Sequence, residues 1–206
     1  MRTLAIDCAT EACSVALFDD GHPIAHWHSL IGRGHAEHLV PAIAALPDKG
    51  RATRILVSLG PGSFTGVRIG LAAARALGLA WGAQVQGYPT LALLAAMGRA
   101  GYGEVPVTVC TTGGHGEWFV QDFAADGLPE DALVSLSPAV ASIRPAHPLI
   151  VGSKAVEMAG LCGHALNILP DARCTLLIPA ALLLADLAPI YGRAPDARLP
   201  QAVPQG

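Results

Sequence analysis

Short apolar runs rich in β-branched residues alternate with turn residues over the first thirty positions. Residues 3–8 and 14–18 are two such runs, and residues 24–30 follow the turn Asp19-Asp20-Gly21. Together they predict a three-strand meander. Leu39, Val40, Ile43 and Leu46 then recur at helical spacing, with Pro41 inside the pattern as a kink or as the mark of a late first turn. The first half is completed by a strand over 55–59, a glycine-rich loop, a helix over 67–82, a strand near 85–87 and an alanine-rich helix from Thr90. Glycines cluster again in GRAGYGEVP. Beyond it, residues 105–111, 117–123 and 133–136 predict three more strands, and 148–151 and 165–169 are further apolar runs with helical candidates around them. Both halves therefore read β-β-β-α-β-α, the second in degenerate form, as domains 1–102 and 103–206. A cleft between two such halves favours ligands. The proline-rich tail from residue 189 is expected to be extended and to end in disorder.

Composition narrows the functions. Of 206 residues, 52% are hydrophobic and 14% charged, which argues against disorder. A formal net charge of −3, with thirteen scattered Lys and Arg, argues against a surface that grips nucleic acid. The first seventeen residues are interrupted by Asp7 and Glu11, so no signal peptide is read. The apolar stretch 176–187 is too short for a bilayer and contains Pro179 and Asp186. A cytoplasmic protein with no membrane partner is expected. Five cysteines (Cys8, Cys13, Cys110, Cys162, Cys174) form an odd, widely spaced set without CxxC, which reads as small buried thiols.

The string LGPGSFTGVRIG, residues 59–70, follows a strand and opens a helix. Gly60 and Gly66 bracket a loop of phosphate-cradling shape, but Val67 and Arg68 stand where GxxxxGK[ST] requires lysine and a metal-binding hydroxyl. Backbone amides over 62–65 can still take an anion. The alternative is a turn with Ser63 or Thr65 as helix cap. Asp7 and Thr10, at the end of the first strand, have the same two readings: a metal or phosphate position, or a hydrogen-bonded turn. Gly66, Gly70, Ala74, Gly78 and Gly82 fall at every fourth position and make a small-residue ridge. Glycine costs about 1 kcal/mol against alanine in a helix, so the ridge needs a close neighbour, in this chain or in another. His35 and His38 lie at i, i+3, a spacing that a metal can bridge, but they form neither HExxH nor HxxEH. His115 and Glu117 sit in a turn that can face the cleft.

Taken together, AIDCATEACSVALFDDG, the Arg33/His35 helix start, LGPGSFTGVRIG and the late PIYGRAPDA resemble the TsaB (YeaZ) family, closely over the first 100 residues and more loosely beyond, at Gly116-Glu117 and Tyr191/Arg193. The resemblance implies an α/β actin-like, sugar-kinase/Hsp70-type (ASKHA) fold of two ribonuclease-H-like halves. It implies a non-catalytic scaffold in synthesis of N6-threonylcarbamoyladenosine at position 37 of tRNA. The partners implied are a TsaD-like transferase, a TsaE-like ATPase in a larger complex, and a second copy of the chain when alone; tRNA is met only indirectly. The metal-binding HxxxH pair of TsaD is not restored by His35/His38, and no metal or cofactor is implied beyond weak ATP or ADP binding. The alternatives are an ATPase or kinase-like enzyme using Asp7 and the loop, or a metalloprotease. Carried onto this chain, the interface helices span 35–46 and 67–82, with His35, His38, Leu39, Ile43, Leu46, Val67, Gly70, Leu71, Ala74, Leu77, Gly78 and Trp81 as contacts. Asp7, Thr10, Gly60, Gly62, Ser63, Thr65, Gly66 and Arg68 become vestigial phosphate loops. Relatives often carry Asp-Ala-Arg where this chain has Cys110-Thr111-Thr112, and the second half is shorter than usual.

Overall fold

The computed structural model describes residues 1–160 and 163–193. Cys162 and the tail beyond Arg193, with its expected disorder, lie outside them. Strands β1 (Arg2–Asp7), β2 (Ala12–Asp19) and β3 (His22–Leu30) form the expected meander, followed by α1 (His35–Ala44), β4 (Arg54–Ser58), α2 (Phe64–Trp81), β5 (Gln84–Tyr88) and α3 (Thr90–Tyr102). The first sheet has the order β3-β2-β1-β4-β5, antiparallel through β3-β2-β1 and parallel from β1 to β5. The central strand β1 is buried on both faces and therefore reads as an unbroken apolar run, whereas the edge strand β3 alternates between exposed and half-buried positions.

Strand alternation assigns the two faces. Leu4, Ile6, Val15 and Val57 point to α1 and α2, while Ala5, Ala16, Phe18 and Leu56 point the other way, onto α3. Pro41 lies inside α1, on its exposed side, and not in a first turn. α2 starts three residues earlier than expected, because Ser63 caps it by accepting the Gly66 amide at 3.2 Å.

The second half repeats the plan with β6 (Val107–Thr112), β7 (Trp118–Phe123), β8 (Val134–Leu136), α4 (Pro138–Ala141), β9 (Leu149–Val151), α5 (Ala155–Ala159) and β10 (His164–Leu166). Its sheet order, β10-β9-β6-β7-β8, is that of the first sheet strand for strand. The repeat is thus one β and one α longer than the expected β-β-β-α-β-α, and in the first half those two are the expected strand near 85–87 and helix from Thr90. In the second copy 3-10 turns (Ala172–Leu177 and Ala180–Leu182) stand in place of the final helix.

α3 is buried over residues 91–96 because both sheets cover it, so one apolar core runs from Ala5 and Leu56 through Leu91 and Leu94 to Val107 and Val151. After β10 the chain crosses back onto the first half. The Ala172 amide donates to Ser14 Oγ at 3.0 Å, Gly87 bridges Leu184, and the Ile190 amide donates to the Leu59 carbonyl at 2.8 Å. This return path brings the tail to the glycine-rich loop.

Candidate functional site

Two regions qualify: the cleft between the halves and the outer face of α1 and α2. The cleft, a cavity of about 810 Å³, is walled by the β1–β2 turn, the glycine-rich loop, the β6–β7 turn and residues 190–193. Of the expected phosphate-loop residues, Thr10, Gly62, Ser63 and Arg68 line it, with His115; Asp7, Gly60, Thr65 and Gly66 do not.

The loop is pressed onto the β1–β2 turn backbone to backbone. A Cβ on Gly62 would lie 2.0 Å from the Ala9 carbonyl oxygen, and one on Gly66 would lie 2.1 Å from that of Cys8. No side chain fits at either contact. The Ser63 amide donates to the Ala9 carbonyl at 2.7 Å, so it is spent within the chain. Arg68 is also engaged. Its guanidinium stacks 3.2 Å from the Phe64 ring centroid, and it donates to the Phe64 carbonyl at 3.0 Å and to the Tyr191 hydroxyl at 2.6 Å. The turn-and-cap reading of the loop describes these contacts.

Asp7 is sealed away from the cleft. Its Oδ1 accepts the Ala9 amide at 2.9 Å and its Oδ2 accepts the Tyr88 hydroxyl at 3.1 Å, while Ala12 donates to Thr10 Oγ1 at 3.3 Å. The carboxyl is 1% exposed. Burial pushes its pKa up to about 6, against the opposing pull of the Ala9 and Tyr88 hydrogen bonds. A group whose folded-state pKa lies above its unfolded value of 3.8 gives stability that is complete below pH ~4 and is lost as pH rises through about 6. The charged carboxylate at pH 7 therefore costs about 3 kcal/mol. Asp7→Asn keeps the acceptor for Ala9 and is expected to melt above the parent chain at pH 7.5, the two converging only below pH ~4. Thermal melts of both from pH ~3.5 to 8 measure this. A difference constant across that range would refute the buried-charge account.

His35 and His38 do not converge. His35 is buried and its Nε2 lies 2.8 Å from the Thr10 carbonyl, to which it donates, tying the start of α1 to the β1–β2 turn. His38 is exposed and stacks on Trp27 at a centroid distance of 6.4 Å. Among the described residues no three His, Cys, Asp or Glu side chains are placed to hold a metal ion. Glu117 accepts Ser135 Oγ at 2.7 Å and is absent from the cleft lining.

The helices α1 and α2 present a different face from the expected one. His35, Leu39, Ile43 and Leu46, and likewise Val67, Gly70, Leu71, Ala74 and Gly78, are buried in the chain's own core. The ridge seats α2 on its own sheet. Gly66 meets Cys8, Gly70 faces Ile6 and Val57, Gly78 faces Val85, and Gly82 is the left-handed cap. Of the expected contacts only His38 is exposed, and Leu77 and Trp81 are half-buried. What is exposed is a second ridge with the same period, Ala72, Ala76 and Ala80, with Leu79 at 88% exposure on the same helix and Val40 at 62% on α1. Contiguous exposed apolar surface is a mark of protein–protein contact sites. Tyr88, which seals Asp7, and Phe64, which stacks on Arg68, went unnoticed in the sequence. Tyr88 carries no local motif, and Phe64 lies inside LGPGSFTGVRIG but is not one of its glycine, hydroxyl or guanidinium positions.

Two lobes of one topology, meeting at a cleft built from their hairpin turns, define an actin-like protein of sugar-kinase and Hsp70 type. A family model described as TsaD, tRNA N6-adenosine threonylcarbamoyltransferase, matches residues 29–143, more than half of the chain. The Escherichia coli tRNA threonylcarbamoyladenosine biosynthesis protein TsaB is 48% identical over 90 residues, 41% of this chain and 38% of that protein. The Haemophilus influenzae protein of the same name is 40% identical over 107 residues, 50% of this chain and 44% of that protein. The match thus spans less than half the length of either relative. An uncharacterized Mycobacterium bovis protein is 32% identical over 95% of this chain and 93% of its own length. The solved structure of YeaZ from Pseudomonas aeruginosa superposes with a TM-score of 0.75 at 27% identity, covering 92% of this chain and 99% of that one. The chain belongs to the TsaB (YeaZ) family. No helix among the described residues is long and apolar enough to cross a membrane.

Proposed function

We propose that the chain is a non-catalytic subunit of the machinery that makes threonylcarbamoyladenosine in tRNA, and that it docks a TsaD-like transferase through the outer face of α1 and α2. The observation that carries this reading is the exposed alanine ridge with Leu79 and Val40, on a chain whose carboxylate at the end of β1, Asp7, is sealed under Tyr88. In the complex the transferase passes the threonylcarbamoyl group to adenine N6, and this chain supplies surface. A TsaE-like ATPase joins the pair, a second copy of the chain covers the same ridge when the transferase is absent, and tRNA is held by the partner. The net charge of −3 supports that last assignment.

The test is reconstitution. Purified chain given tRNA and threonylcarbamoyl-adenylate is expected to leave the tRNA unmodified, while adding the transferase homologue gives product at a rate that falls when the chain is left out. Transfer by the chain alone would overturn the proposal. A second reading, a nucleotide-hydrolysing enzyme, rests on the 810 Å³ cleft. That cleft leaves room for weak ATP or ADP binding, but Asp7 is not among its lining residues. Tight Mg-ATP binding in calorimetry of the isolated chain would favour the enzyme.

A further inference from the structure

In the β1–β2 ladder Asp7 opposes Ser14, and one further step of the same antiparallel register sets Cys8 opposite Cys13. Both thiols are free and buried, with their sulfurs 3.6 Å apart. Opposed residues of an antiparallel pair have Cα atoms ~4.5–5.5 Å apart, inside the ~4.4–6.8 Å window of disulfides. Closing the sulfurs to the ~2.05 Å of a bond requires side-chain rotation and no change of register.

The turn between these two cysteines is the seat of both outer helices. The Cys8 carbonyl abuts Gly66, the Ala9 carbonyl accepts the Ser63 amide and the Thr10 carbonyl accepts His35.

We propose that Cys8 and Cys13 are an oxidation site, a dithiol that a peroxide converts to a cross-strand disulfide beneath the N-termini of α1 and α2. The Cys13 sulfur attacks one peroxide oxygen, the O–O bond breaks, and the first water leaves with a sulfenic acid formed. The Cys8 sulfur then attacks the Cys13 sulfur, the S–O bond breaks and the second water leaves. Two thiols and one hydrogen peroxide thus give one disulfide and two waters, the sulfurs oxidised and the peroxide reduced. The sulfur–sulfur contact at 3.6 Å raises the pKa of Cys8 and lowers that of Cys13, which supports Cys13 as the attacking sulfur. Burial makes the reaction wait for the turn to open. Cys174 is more accessible and therefore serves as an internal comparator.

Both cysteines fall in one tryptic peptide, residues 3–33. The full chain is treated with hydrogen peroxide, denatured, alkylated with iodoacetamide and digested without reductant. That peptide is expected to be lighter by two hydrogen atoms and to carry no alkyl group, and to take two after dithiothreitol. Two alkyl groups at a dose that has oxidised Cys174, or a sulfinic acid on one sulfur without a cross-link, would overturn the proposal. Cys8→Ser is expected to give no cross-link and to leave Cys13 as an unresolved sulfenic acid, trapped by dimedone. Should that variant misfold, the mass of the parent chain's peptide decides alone. Because the cross-link fixes the turn, amide hydrogen exchange at Ser63 and Gly66 is expected to slow in the oxidised protein. Unchanged exchange would refute the coupling to the helices.

Discussion

Ala76→Arg is expected to leave the chain folded, with a melting temperature within a few degrees of the parent, and to weaken association with a TsaD-like partner at least ~100-fold. Ala76 is exposed on the outer ridge, where arginine has nearly the helix propensity of alanine, so the monomer loses little. At a close helix–helix contact the added guanidinium is desolvated without a partner. Stranding a charge in this way costs about 3–5 kcal/mol, a factor of roughly 10² to 4 × 10³ in affinity. Sedimentation or calorimetry with the transferase homologue measures it, and unchanged affinity would remove this face from the interface. Two residues earlier on the same helix, Ala74 is 0% exposed and faces the sheet. The control Ala74→Arg is therefore expected to abolish folding. That a Gly/Ala ridge at period four belongs to another protein's contact is true of the alanine ridge in our proposal and false of the glycine ridge.

That difference marks where the sequence stops informing. The meander, the loop and the order of helices are legible because alternation, turn residues and apolar spacing are local. The direction of a small-residue ridge is not. Gly66-Gly70-Ala74-Gly78 and Ala72-Ala76-Ala80 share one helix and one period, and which of them meets the sheet depends on the path of β1 and β4 beneath it. Asp7 is recognisable as a carboxylate at a strand end, but its burial comes from Tyr88, 81 positions away. The contact of Ile190 with Leu59 likewise joins distant positions, through a segment whose 3-10 turns leave no clear periodicity. The second half is legible as a repeat in its strands only, because helices of four and five residues, α4 and α5, are too short to print a helical pattern.

The glycines of the loop are where a methyl group does the most damage. At Gly66 a Cβ would sit 2.1 Å from the Cys8 carbonyl oxygen, more than an ångström inside ordinary contact. The obstacle is backbone, held in the ladder on one side and in α2 on the other, so no rotamer relieves it. At Gly70, one turn on, the nearest atoms to a Cβ are Cys8 Cβ and Val57 Cγ2, both at 3.6 Å, which is normal packing. Gly66→Ala is therefore expected to cost about 3 kcal/mol or more, lowering the melting temperature by roughly 10 °C in a chain of this size. Gly70→Ala should be neutral or up to about 1 kcal/mol stabilising, through helix propensity alone. Propensity by itself predicts that both substitutions stabilise, so a thermal melt of the pair separates the two accounts. Equal gains at both positions would mean that α2 does not rest on the β1–β2 turn. A loss at Gly66 alone would mean that these glycines are there for close backbone approach, not for an anion.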